Sequence, residues 1–474
     1  MPGQGLKSTT VYRISGGLFC CALSLLAGRA ESNAAEAISL APSRQAGQTV
    51  AVEVIMQVGG ELLLSEPAKT VAAGPAVRKL PMTVGAKLIY EERIIQLRSD
   101  EKGTSRSVRF YPGAKALVEI EKGNQKPVLS EGHRLIAVEA AGAATTLICP
   151  HEPLSREELD LIDVAGNTLL LDELLPSKPV APGDTWKHSD DLLAALLRLD
   201  AVSLGDAQSM LAEVDAKTGE AKITLAGTVH GAVGGVATEI ELKAKYTFNL
   251  KARQITLFAL LVKEKRSIGH VSPGLDVVAK QIVKIRPLAT SDHLDDAAVA
   301  AAKRATGDAA ERLAFESPLN RFRMEHDRRW FVTGDEKRLT VFRLVDRGEL
   351  MAQCNIASID PVPAGETFAL ADFQRDIEKT LGKSFGQFVS AKEQTDPQGR
   401  RVYRVVANGA ASDLPIQWIY YMYTTQEGRR LSVAFTLEQP LVERFGASDV
   451  QFLKSLEVLT PQTASTDKAT PTAK

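Results

Sequence analysis

The chain has 474 residues, more than one compact hydrophobic core usually contains, and this length predicts two or three domains of ordinary size. Its residues are 44% hydrophobic and 24% charged, and the mean hydropathy of -0.07 excludes a polytopic membrane protein. The 57 basic and 58 acidic residues nearly cancel, so no overall electrostatic field attracts nucleic acid or an anionic membrane surface.

The N-terminal segment, residues 1–34, has the pattern of a secretory signal peptide. Basic residues precede an apolar run over 14–27, and small residues suited to a signal peptidase follow it. The run is too short to span a bilayer, and no later segment is longer, so no integral membrane span is expected. We therefore expect an exported protein, periplasmic or extracellular, that is soluble after cleavage behind Ala34 or, alternatively, behind Ala30.

Two cysteines, Cys149 and Cys354, remain after the expected cleavage. They fall in different predicted modules, so the sequence predicts no disulfide framework. Each cysteine alternates with apolar residues in the period of a β-strand, and no CxxC pair is present. Buried thiols are therefore favoured over metal ligands, while the redox state of the two thiols stays open.

A β-rich domain is predicted over residues 38–288. The clearest strand is 239–250, in which apolar residues at even positions alternate with charged or polar residues at odd positions. Neighbouring strands over 208–229 and 255–268 extend it into a meander, and further short strands fall between residues 50 and 138. The pattern predicts an antiparallel curved sheet or partial barrel with one buried face and one wet face.

A helical insertion interrupts these strands over residues 155–200. Ser155 and Glu158 have the spacing of a capping box before a first helix. The last helix of the insertion carries leucines over 192–199, and burial of a leucine stabilises a protein by roughly 1.5 to 3 kcal/mol. We expect these short helices to cover the open face of the sheet.

Two segments lack the large apolar residues of a core. The alanine-rich segment, residues 289–312, carries interspersed charges, and this composition predicts a solvated helical or flexible tether. Such a tether would let the modules on its two sides unfold independently. The tail, residues 461–474, contains only small and polar residues besides proline, and it is predicted to be disordered.

A second module, residues 313–460, is predicted to combine an antiparallel sheet with two helices. The first helix, over 369–385, presents one apolar stripe, and the second begins at Ser448 and buries Val450 and Leu453. In the strand 416–423 both alternating sets are apolar or aromatic, so this strand is expected to be central and covered on both faces. The fold class predicted for the whole chain is α+β.

The order of elements in the second module resembles the PsbP/DcrB-like fold. The residues that carry the resemblance are 328–330, the strand 339–345, the helix 369–385, the strand 420–423 and the helix 448–456. The resemblance implies a non-catalytic binding or assembly protein, and it implies no particular ligand. The β-rich domain is similar in outline to the curved half-barrels of secreted lipid carriers.

The densest polar cluster lies around the start of the helical insertion. Its members are His151, Glu152, Glu157, Glu158, Asp160 and Asp163. One imidazole and several carboxylates suit a divalent cation, but the cluster has neither the HExxH nor the EF-hand spacing. Because carboxylates near a helix start stabilise the helix dipole, a solvated helix is the favoured interpretation. The sequence thus assigns no catalytic, cofactor-binding or metal-binding residue.

Three hypotheses for the function remain. The favoured one is an extracytoplasmic, non-enzymatic protein that binds an apolar small molecule or an envelope protein, without a cofactor and without nucleic acid. The alternatives are an unrecognised enzyme at the acidic cluster from His151 to Asp163, and a structural surface protein with the alanine-rich segment as a spacer. A leucine-lined cavity above about 300 Å³ would favour binding, and converging titratable groups would favour an enzyme.

Overall fold

The structure is a computed structural model that describes residues 36–66, 76–98, 103–364, 366 and 368–459. The expected signal peptide over 1–34 and the expected tail over 461–474 lie outside the described residues. No helix within the described ranges is both long enough and apolar enough to cross a bilayer.

Most of the chain before residue 289 builds one antiparallel sheet of twelve strands, the large sheet. Its strands are β1 (Thr49–Glu66), β2 (Ala76–Gln96), β3 (Thr104–Ile120), β4 (Gly123–Gln125), β5 (Leu135–Ala141), β6 (Ala144–Ile148), β7 (Thr185–Lys187), β8 (Ala201–Asp215), β9 (Glu220–Val233), β10 (Val236–Asn249), β11 (Gln254–Arg266) and β12 (Gly274–Leu288). Their order is β6-β5-β3-β2-β1-β12-β11-β10-β9-β8-β7, and β4 pairs with β3. The two end strands do not pair with each other, so the sheet is open.

Alternation along the strands gives the large sheet two different faces. In β10, Leu242 and Tyr246 are buried, whereas Lys243 and Lys245 are exposed. We call the face that carries Leu242 the core face and the face that carries Lys243 the outer face. The prediction of one buried and one wet face is therefore confirmed for this strand.

Two short helices cover the core face. α1 (Arg156–Ile162) begins with the predicted capping box, in which Ser155 and Glu158 each accept a hydrogen bond from the other's backbone N–H. α2 (Asp190–Leu197) begins after Ser189, whose hydroxyl oxygen accepts a hydrogen bond from the backbone N–H of the third residue of the helix. The leucines of α2 are buried in the same core as the strands, namely Leu192, Leu193, Leu196 and Leu197. This helix therefore closes the core.

The alanine-rich segment packs against the large sheet. Its helix α3 (Asp296–Arg304) buries Ala298 and Ala302, and it contacts the outer face of β3 and β5 near Val108 and Ala137. This arrangement differs from the solvated tether that the composition predicts. Alanine allows it because a side chain that ends at Cβ lets a helix lie close to a sheet without large apolar residues.

The remaining strands form two smaller antiparallel sheets. A three-stranded sheet consists of β13 (Leu313–Ser317), β14 (Phe322–His326) and β22 (Glu457–Val458), and a seven-stranded sheet consists of β15 (Trp330–Glu336), β16 (Leu339–Asp346), β17 (Glu349–Ile359), β18 (Phe385–Thr395), β19 (Arg401–Ala411), β20 (Leu414–Thr424) and β21 (Arg430–Glu438). The order in the larger one is β15-β16-β17-β21-β20-β19-β18. Strands thus predominate over helices throughout the described chain, and the α+β prediction is confirmed only in part.

Helices cover both faces of the seven-stranded sheet. α4 (Leu370–Leu381) packs Phe373 and Ile377 against Tyr403 on one face. The short helices α5 (Val442–Phe445) and α6 (Ser448–Leu453) contribute to the core on the other face. The central strand β20 is buried from both sides, as its two apolar sets predict.

Leu453 in helix α6 and Leu456 just after it are buried as predicted, but the prediction for Val450 is wrong. Val450 is 55% exposed, whereas Asp449 is fully buried together with Phe452. The Asp449 carboxylate accepts hydrogen bonds from Arg404 and from the Tyr421 hydroxyl, at 2.7 Å each. The Asp449 carboxylate therefore lies in the buried stripe of the helix, because its charge is paired. Hydrophobicity alone would have placed this residue in solvent.

Arginines of the second module donate hydrogen bonds to the β-rich domain. Nη2 of Arg328 donates to the carbonyl of Leu147 at 2.6 Å, and Nη1 of Arg343 donates to the carbonyl of His270 at 2.6 Å. By its contacts, the described chain from Ala37 onward forms one compact unit. Independent unfolding of the second module stays a prediction.

Replacing Trp418 with alanine tests whether β20 is a core strand. The Trp418 side chain is 7% exposed in a strand that has neighbours on both sides. Its truncation removes buried apolar area and leaves a cavity, so we expect the free energy of unfolding to fall by about 3 to 5 kcal/mol. Denaturant titration measures the change. A loss below about 0.5 kcal/mol, the usual effect of a surface substitution, would contradict the burial.

A pair of neighbouring glycines tests the contact between the modules. Gly234 and Gly235 both have positive φ in the β9–β10 turn, but only at Gly235 would an added Cβ overlap the backbone of Gly348 in the β16–β17 turn. We expect Gly234→Ala to cost about 1 to 2 kcal/mol through its backbone conformation alone. Gly235→Ala should cost a further 1 to 3 kcal/mol, roughly, through the collision. Equal losses in urea titration would show that the two turns do not touch in solution.

Candidate functional site

The acidic cluster predicted from the sequence is not assembled into a site. Four of its members are exposed, namely His151, Glu152, Glu157 and Asp160. Burial raises the pKa of Asp163, and its carboxylate pairs with Arg198. Among the residues that the structure describes, no group of three or more His, Cys, Asp or Glu side chains is placed to hold a metal ion. The six members therefore do not meet at one point, and the two that share a titratable neighbour are Glu152 and Glu158, which lie 3.7 Å and 2.8 Å from His133.

Glu158 stabilises the start of α1. Its carboxylate accepts hydrogen bonds from the backbone N–H of Ser155 at 3.0 Å and the hydroxyl of Ser130 at 2.7 Å, and it lies 2.8 Å from Nδ1 of His133. Burial alone raises the pKa of Glu158, but the hydrogen bonds from these three residues outweigh burial and lower the pKa to about 2. This carboxylate is held by the fold, whereas the sequence interpretation placed it in solvent.

A buried ion network that the sequence interpretation missed lies under the core face. Glu92 is fully buried, and Nε of Arg109 donates to its carboxylate at 2.8 Å. The hydroxyls of Ser107 and Thr168 also donate to this carboxylate, at 2.8 Å and 2.5 Å. Burial opposes the charge, but Arg109 and Arg44 hold the pKa of Glu92 below its ordinary value. Both carboxylate oxygens are satisfied within the protein, so the network serves the fold.

The strand alternation contains a signal for this network. From residue 88 to the end of β2 the buried residues are Leu88, Tyr90, Glu92 and Ile94, so a carboxylate occupies one position of the apolar set. In β3, Arg109 lies between the buried residues Ser107 and Tyr111 in the same way. A charged residue in the apolar phase of a strand must find a partner, because an unpaired buried charge is too costly. The phase violation at Glu92 predicts a buried partner but does not identify Arg109, whose own phase in β3 contains the polar residues Ser105 and Ser107.

A groove of about 500 Å³ lies on the outer face of β9 to β12, and we call it the outer groove. Its exposed lining forms two rows across the four strands, Ala226, Lys243, Leu261 and Lys280 in one and Thr224, Lys245, Ala259 and Ile282 in the other. The alternate residues of the same strands, such as Leu225 and Leu260, point into the core. Because Ala226 and Ala259 end at Cβ, the longer neighbouring side chains rise above them as walls.

Lysines border the apolar floor of the outer groove. Three lysines line the groove and have no acidic side chain within ion-pairing distance among the described residues. They are Lys243, Lys245 and Lys280. Other lysines on the same face are paired: Lys263 lies 3.2 Å from Glu241, and Lys284 lies 3.2 Å from Glu53. No acidic residue lines the groove. The groove therefore combines apolar surface with uncompensated positive charge.

The outer groove is a further feature that the sequence interpretation missed. It assigned the binding capacity to the leucines of α2, but those side chains are buried in the core. The signal for the groove is a set of apolar residues in the wet phase of the strands, where Leu261 and Ile282 lie among lysines. Ile282 is 39% exposed, and because single exposed apolar side chains are common on proteins, the signal is its place in one row with Ala259 and not its exposure.

No protein-family model and no curated protein sequence matches the chain. Several solved structures match it at low TM-score. PsbP from the cyanobacterium Synechocystis is 12% identical with a TM-score of 0.25, over 31% of this chain and 92% of that chain. Mog1 is 8% identical with a TM-score of 0.26, over 32% of this chain and 97% of that one. Lipovitellin is 9% identical with a TM-score of 0.28, over 52% of this chain and 25% of that one.

The resemblance to PsbP expected for the second module is confirmed in this weak form. At TM-scores this low, none of the three similarities supports a conclusion about ligand, partner or activity. The interpretation of the outer groove therefore depends on its own residues.

Two single substitutions of glutamate by glutamine on α1 test the role of Glu158. Because hydrogen bonds to a charged group contribute about 1.5 to 3 kcal/mol, Glu158→Gln should lower the free energy of unfolding by about that amount at pH 7. The folded-state pKa is about 2, below the ordinary value of 4.5, so this stabilisation is present above pH 4.5 and is lost as the pH falls towards 2. Urea titrations between pH 7 and pH 3 measure the difference.

The matched control is Glu157→Gln, one residue earlier on the same helix. The Glu157 side chain is exposed, so its substitution should change stability by less than about 0.5 kcal/mol at every pH. Equal effects of the two substitutions, or a Glu158→Gln effect that does not shrink in acid, would contradict the assignment.

Proposed function

We propose that this protein is an exported, non-enzymatic binding protein that holds an apolar ligand in the outer groove. The observation that carries the proposal is the apolar floor of this groove, formed by Ala226, Ala259, Leu261 and Ile282 between lysines. Its volume of about 500 Å³ falls within the range of about 300 to 1,000 Å³ typical of small-molecule sites. The signal-like pattern of residues 1–34 supports export.

A helix covers one region of the outer face and leaves the outer groove uncovered, and this difference supports the same proposal. Helix α3 covers the part of this face near Val108 and Ala137 and buries both side chains. At the outer groove, by contrast, Ile282 stays 39% exposed and Leu261 stays partly exposed. An apolar ligand that covers these side chains would gain about 25 cal/mol for each Å² of apolar surface removed from water. Exposed apolar side chains also lie elsewhere on this face, such as Ile89 and Val278, and the groove is distinguished from them by its volume.

The two alternative hypotheses have less in their favour, although a polar pocket of about 370 Å³ lies beside His151 and Glu152. An enzyme at the acidic cluster was motivated by carboxylates beside one histidine, but Glu158 and Asp163 are held by hydrogen bonds and by Arg198. A structural surface protein was motivated by a spacer, but α3 packs on the large sheet. The apolar-ligand hypothesis is therefore the one that we carry forward.

Filling the groove tests the proposal. The neutral fluorescent probe N-phenyl-1-naphthylamine is titrated into the purified full chain and into the variant Ala226→Phe. Ala226 is an exposed residue in the lining, so a phenyl ring there occupies the groove with little effect on the core. We expect the dissociation constant of the probe to rise at least about tenfold, because roughly 1.4 kcal/mol of apolar contact is lost.

The matched control is Ala237→Phe. Ala237 is exposed on the outer face of the same strand as Lys243, but it lies outside the groove lining. This variant should bind the probe as the unmodified chain does, and thermal unfolding should show that both variants are folded. A probe that does not bind the unmodified chain, or that binds both variants equally well, would refute the groove as the site.

A further inference from the structure

We propose that the ligand of the outer groove is an anionic amphiphile, a molecule with one acidic headgroup and a single apolar chain. This inference rests on the proposed function and adds the chemical class of the ligand. It follows from the combination of an apolar floor with lysines that have no acidic partner among the described residues. The apolar chain of the ligand would contact the apolar floor, and its acidic headgroup would pair with the lysines.

Strand register places the lysines on both sides of the apolar floor. On β11, Leu261 lies opposite Lys243 of β10 on one side and opposite Lys280 of β12 on the other. In the second row, Ala259 lies opposite Lys245. Lysine side chains extend their methylene groups along apolar surface and keep the ammonium group at its rim. An apolar chain over β11 would therefore carry its headgroup within reach of these ammonium groups.

The charges of the groove select against other ligand classes. A neutral apolar molecule would cover Leu261 but would leave the lysines without a counter-charge, and a cationic amphiphile would be repelled by them. A nucleic acid needs an extended basic surface, whereas the chain as a whole has a net charge of -1. Nucleic acid would also leave the apolar floor exposed. A single anionic headgroup on an apolar chain satisfies both halves of the groove.

The dimensions favour one soluble amphiphile over a bilayer surface. Four strands spaced by about 4.8 Å make the groove about 14 Å wide, which accommodates one chain and its headgroup. The apolar residues that line the groove, such as Ala259 and Leu261, have shorter side chains than the lysines beside them. A flat membrane would contact the lysine rim without reaching Leu261 and Ala259, so we assign the groove to a monomeric amphiphile.

Three amphiphiles with the same chain and different headgroups test the inference. Dodecanoate, dodecanol and dodecyltrimethylammonium, each as a monomer, displace the neutral probe from the full chain. We expect dodecanoate to bind about tenfold more tightly than dodecanol, since three exposed ion pairs of about 0.5 kcal/mol each give that factor. The cation should bind more weakly than dodecanol. Added salt should weaken the binding of dodecanoate alone, because it screens exposed charges.

A variant whose groove lysines are replaced by neutral residues tests the role of their charge. The triple substitution Lys243→Gln, Lys245→Gln and Lys280→Gln should weaken dodecanoate binding about tenfold and leave dodecanol binding unchanged. The control removes the same number of charges from exposed lysines elsewhere in the β-rich domain, through Lys217→Gln, Lys251→Gln and Lys265→Gln. This control should bind dodecanoate as the unmodified chain does. Thermal unfolding checks that both triple variants are folded.

The outcomes separate this inference from the proposed function. If dodecanol and dodecanoate bind equally and Ala226→Phe weakens both, the groove binds apolar ligands but the headgroup assignment is wrong. If no amphiphile and no probe binds, the proposed function itself fails. If phosphatidylglycerol vesicles bind while monomeric dodecanoate does not, the lysines serve a membrane surface and the inference is overturned.

Discussion

The antiparallel pairing of β1 with β12 joins the first half of the large sheet to the second half. Thr49 lies opposite Leu288, so the pairing closes a loop that contains almost the whole β-rich domain. Because side chains alternate with a period of two, its register decides which residues of both halves share a face, and it places Ile55 beside Ile282 on the outer face. A slip by one residue would send the core side chains to the outer face, so the core and the outer groove depend on the same pairing.

Paired charges occupy core positions in both modules. Glu92 is held by Arg109 under the large sheet, and Asp449 is held by Arg404 and Tyr421 under the seven-stranded sheet. A buried ion pair adds little net stability over apolar residues of the same shape, but loss of one partner leaves an uncompensated charge that costs about 3 to 5 kcal/mol. We therefore interpret these pairs as constraints on strand register and on helix position. They also account for the charged residues that a search for catalytic groups would otherwise select.

The function that we propose uses the face of the large sheet that the core does not use. The core face is covered by α1 and α2, and the leucines of α2 complete its packing. On the outer face, α3 covers one region, while the outer groove retains partly exposed apolar side chains beside Lys243, Lys245 and Lys280. A charge that the protein leaves uncompensated at an apolar depression is available to a ligand. This combination is the basis of the proposal that the groove binds an amphiphile.

Local patterns in the sequence determined the local structure of this protein. The alternation over residues 239–250 predicts β10 and its wet face, the capping box at Ser155 and Glu158 predicts the start of α1, and the two apolar sets of 416–423 predict a central strand. Each of these signals depends only on neighbours along the chain. The sequence also predicted antiparallel sheets, because hairpin strands pair with the strands that follow them.

Only the tertiary structure decided which distant residues meet. Val450 was expected in the core, but the position of α6 buries Asp449 because Arg404 and Tyr421 are there to bind it. The alanine-rich segment had the composition of a tether, and it packs because β3 and β5 present a surface that suits small side chains. The outer groove arises from residues on four strands whose register sets their spacing. The pattern of hydrophobic residues along the chain specifies which helix or strand a residue belongs to. The pairing of distant strands and helices specifies which side chains that residue contacts.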